Sequence, residues 1–213
     1  MRKIAIFGAG GFGREVKWLI DDINAVKPTW NFIGYFDDDF SHAKHIGPDH
    51  FLGGTSELNA WKESIFLVFA IGNPQVKRKI FQKIDNPSVN YPSLIHPNVC
   101  IGKSNVQVGE GCIICAGNII TVDIQIGKHV ILNLCCTVGH DSFIGDFSSF
   151  MPAVNISGEV NIGEAVYVGT GAKIINQLEI GEETIVGAGA VVAKSLPPKC
   201  TAVGIPAKPV KFH

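Results

Sequence analysis

The segment TVGHDSFIGDFSSFMPAVNISGEVNIG, Thr137 to Gly163, carries an apolar residue at every sixth position: Val138, Ile144, Phe150, Ile156 and Ile162. The same count runs back through Leu132, Ile126, Ile120, Ile114 and Val108, and forward through Val168, Ile174, Ile180, Val186 and Val192. All fifteen positions are apolar and eight of them are followed by Gly, which is too regular for chance. The fifth residue of each hexad is small or aliphatic, as at Ser142, Ser148, Val154, Val160, Val166, Ala172 and Ala190. Helices repeat about every 3.6 residues and strands alternate about every two, so neither gives a period of six. A short strand closed by a corner does. The apolar residue and the fifth residue point inward, Gly eases the corner, and the rest face solvent. Such a chain coils into a prism in which each coil buries its aliphatic layer against its neighbours.

Upstream of residue 95 the rhythm is different. KIAIF, WNFIGYF and SIFLVFAIG are strand-like runs, and GREVKWLIDDIN and PQVKRKIFQKI have helical periodicity. This alternation predicts a parallel sheet covered by helices. After YPSLIHPNV the helical period disappears, which divides the chain into residues 1–95 and 96–213. The first strand leads directly into Gly8, Gly10 and Gly13, a GxGxxG turn opening a helix, and Asp37 follows the second strand. Taken alone these features suit a dinucleotide. The region is little more than half of a dinucleotide fold, however, and a mononucleotide or nucleotide-sugar fits better. Backbone N–H groups of Gly10, Gly11 and Phe12 would hold a diphosphate at the helix start, and Asp37 and Asp38 would take base or ribose hydroxyls. The competing reading of Asp37 to Asp39 is a solvated turn.

Composition excludes several classes. With 213 residues, 46% of them hydrophobic, and a formal net charge of −1 with no block of like charge, the chain offers no electrostatic footprint for nucleic acid or an anionic membrane. The apolar run in MRKIAIFGAGGFG is too short for a signal peptide or a membrane span, so a cytoplasmic protein is expected. The six cysteines have no spacing typical of zinc or of a disulfide framework and are expected as buried thiols. CIIC, Cys112 to Cys115, has redox spacing but falls inside the repeat.

The hexads resemble those of the hexapeptide-repeat acyltransferases. With GAGGFG, FDDD, AIGN, GHDSFIGDF and VGIPAK in this order, nearly the whole chain is similar to the bacterial nucleotide-amino-sugar N-acetyltransferase and sialic acid O-acetyltransferase family, which modifies sugars for surface glycans. The resemblance implies an α/β half-Rossmann (βαβ) domain followed by a left-handed parallel β-helix with three hexads per coil, hence about five coils, whereas the general crossover rule gives the opposite hand. It also implies acetyl-CoA as co-substrate, no metal, and a homotrimer that closes the active groove between subunits.

The repeat phase places His140 third and Asp141 fourth in their hexad, both facing outward. One coil further, Gly158 falls beside His140, leaving room for a thin ligand arm. The residues alone leave a catalytic base and a plain surface His both open; the resemblance selects the base. Thioester acyl transfer needs an acceptor to lose a proton, which an imidazole titrating near neutrality can accept. Asp141 would fix its tautomer, and the resemblance implies the Gly158 N–H as the donor that stabilises the oxyanion. The family site also implies acetyl-CoA contacts at Gly169, Thr170, Gly187, Ala188 and Lys208, and an acceptor contact at Asn133, for which a hydrogen bond within a turn is the equal alternative. Many members carry a second His nine residues after the first, against the acceptor; here Ser149 stands there, which leaves amine against hydroxyl open.

The reading that follows is an acetyl-CoA-dependent N-acetyltransferase of a nucleotide-linked amino-sugar, with a sialic acid O-acetyltransferase as the alternative. The uninterrupted repeat throws out no loop to hold the acceptor, so the N-terminal domain is the candidate. A non-catalytic sugar-nucleotide-binding protein is the rival of another class. A zinc hydratase on the same β-helix needs three converging imidazoles. The repeat holds only His129 and His140, and His42, His45 and His50 lie in the other domain.

Overall fold

The computed structural model describes residues 1–47 and 50–213. The N-terminal half runs β1 (Arg2–Phe7), α1 (Gly11–Val26), β2 (Trp30–Phe36), a 3-10 turn (Phe40–His45), β3 (Phe51–Gly53), α2 (Thr55–Asn59), β4 (Ile65–Phe69), α3 (Pro74–Phe81) and β5 (Val89–Asn90). The strands form one parallel sheet in the order β3-β2-β1-β4-β5. Ile4, Ala5, Ile6 and Phe7 of β1 are all buried, as expected of a central parallel strand covered on both faces. The stripe Val16, Leu19 and Ile20 of α1 packs with Ile4, Ile6, Trp30 and Val68 on one face. Ala5, Phe7, Phe36 and Leu67 face Leu58 and Phe81 on the other.

The rest is a three-sided parallel β-helix. Its first side stacks Leu94–Ile95, Ile113–Ile114, Ile131–Leu132, Ser149–Phe150, Tyr167–Val168 and Ile185–Val186, and a C-terminal hairpin, Cys200–Gly204 with Ala207–Phe212, extends it. The second side runs from Cys100–Ile101 to Val191–Val192 and the third from Val106–Val108 to Glu179–Ile180. Successive coils are 18 residues apart: Ile131 pairs with Ser149, Thr137 with Asn155 and Phe143 with Asn161. Of the fifteen hexad positions, all but Val108 are buried, and Val108 is partly so.

Three expectations are corrected. There are six coils, because Leu94–Ile95 and Cys100–Ile101 begin a coil that the count from Val108 misses. Ile95 pairs with Ile114 and Ile101 with Ile120, a step of 19, so one extra residue before Val108 shifts the phase. The turn is made by the fourth residue of the hexad, not by the Gly. Asp123, His129, Cys135, Asp141, Phe147 and Ala153 all have φ of 54° to 61°. The Gly after the apolar residue serves close approach instead: a Cβ at Gly145 would lie 2.5 Å from the carbonyl carbon of Gly163 in the next coil. Finally, four of the six thiols are buried but Cys100 and Cys135 are exposed. Cys100 is the outward residue of its strand, and Cys135 sits on a left-handed corner.

The first side is covered by the N-terminal domain. Ile113, Cys115 and Ile131 share a core with α1. His96 Nε2 lies 3.1 Å from Asp22 Oδ2, Arg78 of α3 pairs with Glu164 at 3.1 Å and with Glu183, and Gln75 donates to the Ala165 carbonyl.

Candidate active site

His140 lies on the corner between the second and third sides. Its carbonyl accepts from Glu159 N–H of the next coil at 2.7 Å, and Asp141 N–H donates to the Val122 carbonyl of the previous one, so the corner is clamped from both directions. The left-handed conformation of Asp141, φ 54°, folds its carboxylate back onto its neighbour. His140 Nδ1 and Asp141 Oδ2 are 2.7 Å apart, and both side chains are more than half exposed. The imidazole lies over Gly158: a Cβ there would stand 2.5 Å from both Cε1 and Nε2. Gly158 N–H is paired with no backbone carbonyl among the described residues. The base and its orienting carboxylate are thus exposed on this corner, with Gly158 buried beneath the ring. Beside it is a groove of about 370 Å³ lined by Asn105, Asp123, Gln125, Asp141, Ser142 and Phe143.

Gly169, Thr170, Gly187 and Ala188 stack one coil apart on a different corner, between the first and second sides, where Asn133 also sits. Lys208 is in the hairpin, opposite Val203, whose side chain meets Gly187. One chain does not bring these residues to His140. Asn133 is buried, and its Oδ1 accepts from Leu134 N–H at 2.7 Å, the turn bond that competed with an acceptor role.

Ser149 departs from expectation. It is fully buried under α3, where Lys77 Nζ donates to its Oγ at 3.1 Å, because its outward face belongs to the side that the N-terminal domain covers. Lys77 is itself fully buried, and loss of solvation pushes its amine down to about 7. The motifs and the repeat point to neither Lys77 nor the burial of His129. The apolar stripe of α3 could have marked Lys77, since it follows Pro74 and precedes Phe81 there.

At the carboxyl ends of β1 and β4 the N-terminal domain has a cleft of about 440 Å³, lined in part by Gly10, Gly11, Phe12, Asp37, Asp38 and His42. Gly10 offers no side chain to cap α1, and a Cβ at Gly10 or Gly11 would meet nothing within 4 Å. The helix N-terminus is thus open to an anion. The two carboxylates are less free than expected. Asp37 Oδ2 accepts from Ala9 N–H and from His42 Nδ1, both at 2.8 Å, and Oδ1 accepts from Asp39 N–H. Asp38 accepts from Thr55 N–H and Oγ1 at the start of α2. Asp37 shapes the glycine turn and Asp38 caps a helix. Gly72, at the end of the β4 loop, faces Met151 of the β-helix, so this cleft adjoins the corner of Asn133 and Gly169, not that of His140.

Among the described residues no group of three His, Cys, Asp or Glu could hold a metal, and no helix is long and apolar enough to cross a membrane. The side chain of His45 is outside the described set. Cys112 and Cys115 are buried thiols, pushed by desolvation up to about 11 and about 12.

Residues 3–84 match the PglD N-terminal domain family. The chain is 30% identical to the GDP-perosamine N-acetyltransferase of Escherichia coli over 174 residues, 82% of this chain and 78% of that protein. It is 36% identical to the UDP-N-acetylbacillosamine N-acetyltransferase of Bacillus subtilis over 119 residues, 54% and 52% of the two chains. Among solved structures, PerB from Caulobacter crescentus in complex with CoA and GDP-perosamine superimposes with a TM-score of 0.84 at 31% identity, over 99% and 98% of the chains. The acetyltransferase domain of PglB from Neisseria gonorrhoeae in complex with acetyl coenzyme A gives 0.85 at 29% identity, over 98% and 99%.

Proposed function

Because the chain belongs to the nucleotide-amino-sugar N-acetyltransferases that carry a PglD N-terminal domain, we propose that His140 is the general base of an acetyl transfer from acetyl-CoA to the amino group of a nucleotide-linked sugar. The observation that carries the assignment is His140 itself, with Nδ1 tied to Asp141 and the ring laid over Gly158. With Nδ1 donating to the carboxylate, Nε2 is the free basic nitrogen.

The neutral amine attacks the thioester carbonyl, and its proton passes to Nε2 as the C–N bond forms. Asp141 stabilises the resulting imidazolium, while the Gly158 N–H faces the oxyanion. Collapse breaks the C–S bond, and the departing thiolate takes the proton from Nε2. The products are the amide and CoA, with His140 returned to its starting form.

The acceptor's nucleoside diphosphate sits in the N-terminal cleft, its phosphates at the Gly10 to Phe12 turn. That cleft adjoins the Asn133 and Gly169 corner, whereas the base is on the next corner of the prism. A complete site therefore combines the cleft, Asn133, Gly169, Thr170, Gly187, Ala188 and Lys208 of one subunit with His140, Asp141 and Gly158 of its neighbour, which a homotrimer supplies three times. We place the reaction in the cytoplasm, where acetyl-CoA and sugar nucleotides are both made.

The test is CoA release from acetyl-CoA in the presence of UDP-, GDP- and dTDP-linked amino-sugars, with sialic acid as the oxygen acceptor. Turnover with one of the amino-sugar nucleotides is expected. Turnover with sialic acid alone, or undiminished turnover by His140→Ala, would refute the assignment.

A further inference from the structure

The nucleotide cleft poses an electrostatic problem. Asp37, Asp38 and Asp39 all line it, and a sugar diphosphate adds about two more negative charges near neutral pH. The N-terminus of α1 offers only about half a positive charge in return. Among the described lining residues, His42 is the only one with a basic side chain. Glycine and phenylalanine line the α1 side, and Ala70, Ile71, Val76 and Ile80 the β4 and α3 side, so no other charge faces it from those elements.

His42 is built into the cleft. Its Nδ1 lies 2.8 Å from Asp37 Oδ2, the same oxygen that accepts from Ala9 N–H of the glycine turn, so one carboxylate sets both the phosphate-facing backbone and the imidazole. Nε2 is 3.7 Å from Asp39 Oδ2, too far for a hydrogen bond, and makes none among the described residues. The Asp37 hydrogen bond is the main influence raising the affinity of this imidazole for its proton. Asp37 and Asp39 charges add to it, and desolvation and Lys44 oppose it.

We propose that His42 binds a phosphate of the acceptor's nucleoside diphosphate through Nε2 while Asp37 holds Nδ1, so that acceptor affinity follows the protonation of this one imidazole. The inference rests on the reading that a sugar nucleotide occupies the N-terminal cleft. It adds a residue that the glycine-rich turn and the Asp37 to Asp39 run do not reveal. His42 acts on binding and leaves the acetyl transfer at His140 untouched.

Calorimetry on the full chain with UDP-N-acetylglucosamine and GDP-mannose tests it, because neither the diphosphate diesters nor the bases of these probes titrate between about pH 6 and 8. Wild-type Kd for the better-bound probe should rise about tenfold across that range, about 1.4 kcal/mol. His42→Gln, whose amide can still donate to Asp37, should bind about tenfold more weakly at pH 6 and show no such trend. His42→Lys should restore affinity without the trend, and CoA affinity should be the same in all three. Wild-type affinity in His42→Gln, or a flat wild-type profile, would overturn the role of His42 while leaving the cleft reading intact. Failure of both probes to bind the wild-type chain would remove both.

Discussion

Lys77 Nζ and Ser149 Oγ are 3.1 Å apart in the interior between α3 and the first side of the β-helix, and this is the one hydrogen bond found for either side chain among the described residues. The amine titrates near neutrality because burial penalises its charge. Between pH 7 and 10 the unfolded chain holds a proton on Lys77 that the folded chain has lost, so this group makes stability rise with pH over that window. The slope is at most about 1.4 kcal/mol per pH unit. Lys77→Met should remove it and raise stability at pH 7 by roughly 2–4 kcal/mol, after allowing for the lost hydrogen bond. Urea unfolding at pH 7, 8 and 9 measures both effects. Parallel wild-type and variant profiles would show that Lys77 is solvated.

The same interior holds His129, stacked on Phe147 with centroids 5.0 Å apart and packed against Phe81 at 4.7 Å. Neither ring nitrogen has a partner among the described residues, and burial first, Lys77 second, depress its pKa to about 4. The folded chain keeps this ring neutral while the unfolded chain protonates it below about pH 6.5. Stability should therefore fall as pH drops from 6.5 to 4, by about 3 kcal/mol in all from this residue. In His129→Phe that part of the acid sensitivity should vanish, whatever the substitution does at pH 7. Thermal melts at half-unit pH steps read the slope directly.

These interior groups also show where sequence stops informing. Val108 to Val192 specify the β-helix because burial on a six-residue period leaves no other solution, and the outward placement of His140 follows from the same phase. Ser149 has an equally clear phase, yet phase does not say which side of the prism another domain will cover. Its neighbour Lys77 comes from residues far away in the chain. Asp37 and Asp38 look like ligand carboxylates in sequence because the Ala9 and Thr55 N–H groups they bind are invisible there. The first coil was hidden by one inserted residue, which a strict count cannot cross.

Gly158 should tolerate Ala as far as its backbone is concerned, since its φ is not positive. The new Cβ would nevertheless fall 2.5 Å from the His140 ring. The exposed ring can swing away, which costs the fold little but moves Nε2 off its position. Gly158→Ala should lower kcat by about 10²-fold, with the melting temperature and sugar-nucleotide Kd nearly unchanged. A wild-type kcat would mean that the ring position over Gly158 is not the reactive one.

His140→Ala should lose roughly 10²–10⁴-fold in rate and keep its CoA affinity. Asp141→Asn should be milder. Asn adopts the left-handed backbone that φ 54° requires and can still bond Nδ1, so the change isolates the carboxylate charge. Without that charge the imidazolium formed during transfer is less stable, so kcat should fall while CoA affinity stays the same. Equal losses of rate and of CoA affinity in His140→Ala would make the residue a binding group.

The separation of His140 from the Gly169 and Ala188 corner gives the most direct test of a shared site. Ala188 is exposed, so Ala188→Trp can block a ligand arm on its corner without entering the core. Each of His140→Ala and Ala188→Trp alone should be nearly inactive. In a trimer assembled from both, every junction that pairs the intact His140 of one subunit with the intact Ala188 corner of the next is a wild-type site. Random assembly from equal amounts makes about a quarter of all junctions of this kind. Co-expressed variants should therefore regain about a quarter of the wild-type rate, whereas mixing the preformed oligomers should restore little. A site contained within one chain predicts no recovery by either route, and recovery near zero in a co-expressed trimer confirmed by mass would rule out the two-subunit site.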